Sequence, residues 1–275
     1  MWLCRARLCV PRTSMASKIS NWLQADRLTF AASAAVIAVI WELTGRLTNP
    51  LIFPPLSQVI VAWFEIVWSG ELLRGLALSI SAFLIGLLLA LIVGISIGVA
   101  MGWFHALENL FDTVFTLVLV TPMVGLIPVL IIAFGLGLKV RVVAVFLFAA
   151  PIIAFNSYIG TRNVNGNLVE MARAFGARDW EILKKIVFPA AVPGIMAGVR
   201  LGIGRAIVGM VSAELLIVSV GIGLIIMQYT GALETAKLYP AIATVIGIGV
   251  LVSYFGQWLD RTISARHGRR GAFEI

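Results

Sequence analysis

The chain has 275 residues, 60% of them hydrophobic and only 12% charged, with a formal net charge of +8 and a mean hydropathy of +1.02. A soluble domain carries about a quarter charged residues, so there is too little polar surface here for a water-soluble globule. The composition predicts an all-α polytopic membrane protein, and the basic excess has to be read by position before any nucleic-acid partner is inferred from it.

The only cysteines, Cys4 and Cys9, lie in MWLCRARLCVPRTS. This stretch has arginines but no apolar core, so it is a poor secretory signal. No His or second Cys pair completes a metal site with it, and a cytosolic position argues against a disulfide. Met15 opens a more natural lead-in, so residues 1–14 are expected to be disordered or to precede the true start, and 1–27 to form a cytoplasmic segment. A first span is predicted at about Leu28–Thr44. In NPLIFPPLSQV, which follows, Pro54 and Pro55 exclude a helix and Ser57 is expected to cap the amphipathic helix after them.

About 20 predominantly apolar residues cross a bilayer as a helix. Gly75–Phe104, Thr113–Leu138, Val142–Thr161 and Leu238–Leu259 carry no charge at all. The second span is therefore placed at about Leu76–Gly102, where Gly94, Gly98 and Gly102 stand four apart and allow close helix contact. The third, about Phe111–Phe134, contains Thr121-Pro122 and Pro128. These prolines kink the span either for packing or to line a wet pathway. The fourth, about Val140–Ile159, holds Pro151 and Asn156. A fifth runs over Pro193–Leu216 and a sixth over about Pro240–Leu259. The expectation is a transmembrane domain at 28–260 with about six spans, followed by a basic tail at 261–275.

Six spans put the N-terminus, the Arg162–Lys185 stretch and the C-terminal tail on one side. That side holds 14 Lys/Arg against 5 on the other (Arg46, Arg74, Lys139, Arg141, Lys237), with Arg200 and Arg205 inside the fifth span. The positive-inside rule then predicts that both termini are cytoplasmic. The basic excess is explained by topology, and no nucleic acid is needed.

Between the fourth and fifth spans lies LVEMARAFGARDWEILKKIVFPAAVPG, with seven charged residues. Burying it in a bilayer would cost on the order of 20 kcal/mol, so it belongs in water or against a protein. Leu168, Met171, Ala172 and Phe175 share one helical face. Glu170 is expected in that helix's first turn, and Gly176 sits where a left-handed cap belongs. Asp179 is expected to cap a second short helix that buries Leu183, Ile186 and Val187, pairs Glu181 with Lys185, and ends at Pro189. Pattern alone leaves open whether these helices lie on the membrane surface or dock on a protein.

The stretch resembles the cytoplasmic signature of ABC importer permeases. Glu170-Met171-Ala172, Gly176, Ile186 and Phe188-Pro189 stand at the matching positions, with Met171 and Phe188 replacing the usual Ala and Leu. FPPLSQV, TPMVGLIPVLIIAFGLG and PAAVPGIMAGVRLGIGRA are similar to the nitrate/sulfonate/taurine branch, and the likeness runs from about Leu51 to Leu259. It implies a type I importer permease in a bacterial inner membrane, working as a homodimer. It also implies a cytoplasmic ATPase dimer docking on Glu170, Met171, Ala172, Phe175, Gly176, Trp180, Ile186 and Pro189, and an extracytoplasmic binding protein that selects a small anion. ATP-driven movement of the ATPases would then tilt spans three to five.

No GxxxxGK[ST] occurs, so nucleotide has to be bound by a partner, and no enzyme activity or cofactor is expected of this chain. His105 and His267 read as interfacial or tail residues. Glu214 is the one carboxylate well inside a span. Arg205 lies on the opposite helix face and Arg200 about 21 Å away along the axis. Glu214 therefore either lines a pathway with Thr121, Pro122, Pro128 and Asn156 or makes a structural hydrogen bond near the outer interface. The rival class is an ion-coupled secondary transporter or channel, which usually wants an acidic relay or an inverted repeat.

Overall fold

The computed structural model describes residues 29, 32–217 and 220–268. The predicted lead-in at 1–27 and the end of the basic tail lie outside them. The described residues form helices and no strand: α1 (32–47), α2 (Leu56–Trp68), α3 (Glu71–Trp103), α4 (His105–Val120), α5 (Ile127–Phe134), α6 (Leu138–Arg162), α7 (Gly166–Ala174), α8 (Asp179–Ile182), α9 (Phe188–Ile217), α10 (Ile222–Gly231) and α11 (Thr235–Gly268). Among the described residues, Glu71–Trp103, Leu138–Arg162, Asp179–Ile217 and Thr235–Trp258 are long and apolar enough to cross a bilayer. The expected second, fourth, fifth and sixth spans are thus present. Residues 261–268 of the expected tail continue α11.

The expected third span is two helices rather than one. Pro122 has no N–H to donate and its ring would clash with the carbonyl four residues back. The residue before it is pushed out of the helical region, and Thr121 is extended at φ −66°, ψ 132°. The chain restarts through a 3-10 turn at Met123–Leu126. Pro128 then falls in the first turn of α5, where a missing N–H costs nothing. One proline breaks the span; the other helps to begin its second half.

The core is a three-helix contact among α3, α6 and α9, and it depends on small residues. Gly86, Gly94, Gly98 and Gly102 of α3 turn toward α6, and a Cβ on Gly94 would lie 3.0 Å from the Ala150 carbonyl oxygen. On the other side of α6, a Cβ on Gly194 would lie 2.6 Å from the Cα of Gly160. Without a hydrophobic drive between helices in lipid, such close approach supplies the packing contacts that hold them together. Phe83, Ala90, Val145, Ile153, Val199 and Ile203 fill the space between.

At one end of the bundle the start of α11 packs on the loop after α1. Trp41, Phe53 and Tyr239 form a ring cluster with centroids 5.7–5.9 Å apart, and the Trp41 indole donates to the Pro54 carbonyl at 3.1 Å. Ser57 does not cap α2 as expected. Glu42 of α1 does so across the loop, accepting from the Ser57 backbone N–H at 2.9 Å and from its hydroxyl at 3.0 Å.

Candidate functional site

The charged connection folds as a hinged pair of helices. Asn165 caps α7, its side-chain oxygen accepting from the Asn167 N–H at 3.0 Å. The helix therefore begins earlier than the apolar periodicity suggests, and Glu170 lies in its second turn, not its first. Gly176 has φ +79°. Its N–H donates to the Arg173 carbonyl at 2.9 Å and that of Ala177 to the Ala172 carbonyl at 3.0 Å, the two bonds of a Schellman cap.

The single apolar face expected of α7 divides in two. Ala172 is buried with Ile182 and Val187, and Trp103, Val169, Leu183 and Ile186 pack around them. Leu168, Met171, Phe175 and Trp180 face outward, with Phe175 86% and Trp180 68% exposed.

Asp179 is the first residue of α8 rather than its cap. The first turn is closed instead by Glu181, which accepts from the Arg178 backbone N–H at 3.2 Å. That bond and the Lys185 ammonium 3.2 Å away hold the Glu181 carboxyl below its ordinary pKa. Arg173 reaches Asp179 at 3.2 Å across the hinge. Pro189 does not end the helix. Leu183–Val187 widen into a π turn in which the Phe188 N–H donates to the carbonyl of Leu183, five residues back. The wide turn accommodates the proline, and α8 runs on into α9 as one rod from Asp179 to Ile217.

Glu214 is fully buried, and its partner comes from a different helix. Arg141, 3% exposed in the first turn of α6, pairs with it at 3.2 Å. Ser79 of α3 donates to the same carboxylate at 2.7 Å and the Gly223 N–H of α10 at 3.2 Å. Arg141 also donates to the carbonyls of Gly137 at 3.2 Å and Leu78 at 3.3 Å. One ion pair so ties α3, α6, α9 and α10 together. Arg141, expected on the outer side by its place at the start of the fourth span, is part of the core. Asn156, half-buried where α6 meets α9, donates to the Ile152 carbonyl at 2.8 Å within its own helix. Pro128 is exposed on α5.

Thr121 and Pro122, at the break between α4 and α5, line a cavity of about 260 Å³ with Phe148 of α6 and Arg205 of α9. Arg205 was not among the candidate pathway residues. Its mid-span position in PGIMAGVRLGIGRA was the available signal, since an intramembrane charge is a functional hypothesis by default.

Residues 90–265 match the family described as binding-protein-dependent transport system inner membrane component. The chain is 32% identical to the Escherichia coli protein SsuC, assigned by name to aliphatic sulfonates transport as a permease, over 90% of this chain and 94% of that one. It is 26% identical to the taurine transport system permease protein TauC of the same organism, over 88% and 90%. Among solved structures it is similar to the inward-facing MetNI methionine ABC transporter. That match has a TM-score of 0.58 and 22% identity, covering 70% of this chain and 95% of that one.

Proposed function

We propose that this permease imports a small sulfonate-type anion; the chain belongs to the family of binding-protein-dependent transport system inner membrane components and is the membrane-spanning subunit of an ABC importer. Its fold is that of type I importer permeases. As a transport subunit it is not itself an enzyme, and the family works with an ATPase and a substrate-binding protein. The sulfonate and taurine assignments of its relatives support the choice of cargo.

The observation that carries the mechanism is the exposed ridge of Leu168, Met171, Phe175 and Trp180 on a helix pair welded to α9. An apolar ridge rimmed by Glu170, Arg173 and Lys184 suits the groove of a cytoplasmic ATPase, soluble before assembly and buried after it. ATP-driven closure of two ATPases would pull two such rods, one from each permease of a homodimer, and tilt α9 with α6, switching the path between its two openings. In this reading both termini face the cytoplasm. With Arg141 buried, the loops on the opposite side keep only Arg46, Arg74, Lys139 and Lys237, which sharpens the charge asymmetry. The reading also disfavours an ion-coupled carrier, because Glu214 is neutralised by Arg141 and makes a poor proton or cation relay.

Gly176→Pro tests the coupling. Proline cannot adopt φ +79° and lacks the N–H that closes the cap. The variant, reconstituted with its ATPase and binding protein, should insert normally but lose ATP-driven uptake of ethanesulfonate in proteoliposomes. Uptake at the wild-type rate would overturn the coupling role.

A further inference from the structure

Of the arginines on the helices that build the core, Arg141, Arg200 and Arg205 have surroundings that differ. Arg141 is sealed against Glu214 at 3.2 Å. Arg200 pairs with Asp260 of α11 at 3.2 Å. Arg205 is exposed, and among the described residues no hydrogen bond or ion pair reaches it. It stands 17 residues after Phe188 and 12 before Ile217 in α9, so about 25 Å and 18 Å from the helix ends along the axis. That is mid-bilayer depth, where a guanidinium that always carries its charge cannot be left facing lipid.

A second observation falls at the same depth. The cavity that Arg205 enters is walled by the Thr121-Pro122 break, where α4 stops and a 3-10 turn begins. Non-helical backbone inside a membrane is tolerated only where it is buried in protein or lines a water-filled cavity. An unpaired cation and a broken helix therefore meet at one place, and the space between them is about 260 Å³. Drug-sized pockets run to roughly 300–1,000 Å³, so this one suits a molecule of a few heavy atoms. Met123, Val124 and Phe148 make its remaining walls apolar.

We infer that Arg205 is the anion-contacting group of the translocation pathway, meeting the sulfonate head of the cargo at the α4–α5 break while the apolar walls take its carbon stem. This rests on the importer reading and adds the residue that selects for negative charge inside the membrane. The guanidinium presents a planar fork of donors that matches two sulfonate oxygens. The apolar walls add no second charge, so the anion is held by one strong contact and can leave.

The test uses the whole complex of permease, ATPase and binding protein in proteoliposomes, with ethanesulfonate as cargo. Arg205→Gln should lower uptake about tenfold or more, the scale of one lost charge-assisted hydrogen bond, while loaded binding protein still stimulates ATP hydrolysis. Arg205→Lys should restore part of the uptake, because the charge returns without the planar fork. Wild-type uptake in Arg205→Gln would overturn the inference, as would equal losses in the Gln and Lys variants. A wild-type complex that hydrolyses ATP on demand but carries no sulfonate would instead overturn the cargo reading. Should Arg205→Gln fail to assemble, Arg205→Cys in the complex decides the matter. With Cys4 and Cys9 replaced by serine, the thiol should react with a sulfonate-bearing methanethiosulfonate from the aqueous phase; a thiol that never reacts lies against lipid or protein and refutes the assignment.

Discussion

Arg141 and Arg205 carry the same charge within one helical bundle, and the protein treats them in opposite ways. Around Arg141 every group is answered: Glu214 at 3.2 Å, two backbone carbonyls, and a carboxylate that takes further bonds from Ser79 and Gly223. Arg205 has solvent-sized space in front of it and a broken helix opposite. Satisfied charge near the end of the bundle binds helices into one body, whereas unsatisfied charge about 13 Å deeper along α9 is available to something that passes. The bundle thus has a closed half, built on glycine contacts and one ion pair, and an open half around Thr121-Pro122.

The largest effect that separates the two halves is on stability. Glu214→Leu leaves a buried guanidinium unpaired and should cost about 3–5 kcal/mol, the usual penalty for breaking a buried pair from one side. Thermal unfolding in detergent should show a large drop or loss of the folded protein. Arg141→Met combined with Glu214→Leu should recover part of it, since two apolar side chains replace two charges. Strictly additive losses would mean that the two residues do not act as a pair. The same measurement on Arg205→Gln should give a melting temperature close to wild type, because no bond of Arg205 holds the fold. A drop as large as that of Glu214→Leu would erase the distinction between the halves.

The smallest effect belongs to the exposed face of the hinge. Glu181 has its pKa held below the ordinary value of 4.5 by the Arg178 N–H and by Lys185. Its contribution is therefore present at neutral pH and fades as the pH falls below about 4.5 and through the lowered folded value. Both groups are open to water, so Glu181→Gln should leave the melting temperature at pH 7 almost unchanged. A clear loss at pH 7 would show that the hinge depends on this pair rather than on the Gly176 cap.

How far the sequence could be read depended on how local each cause was. The spans followed from composition, and the left-handed cap at Gly176 from a glycine just past a periodic run. Pro122 was legible as a disturbance, yet its outcome, a full break, needed the extended conformation forced on Thr121. Pro189 read as a stop because proline in a regular α-helix is one; the π turn that absorbs it leaves no obvious mark in the sequence. The partner of Glu214 was missed because Arg141 lies 73 residues earlier and sits beside Lys139 in what reads as a polar loop. Likewise Glu42 caps α2 from 15 residues away, where Ser57 offered a nearer and plausible cap. Side chains that act across helices are decided by packing, which single-chain periodicity does not record.

The central claim is that the ridge on the hinged pair is held clear of the membrane until a motor subunit covers it. Thiol reactivity measures this directly, using Phe175→Cys in a chain whose Cys4 and Cys9 are replaced by serine. In vesicles holding the permease alone, Cys at this position should react rapidly with a water-soluble maleimide, and addition of the ATPase should protect it. Protection already in the permease alone, or unchanged reactivity with the ATPase bound, would contradict the account.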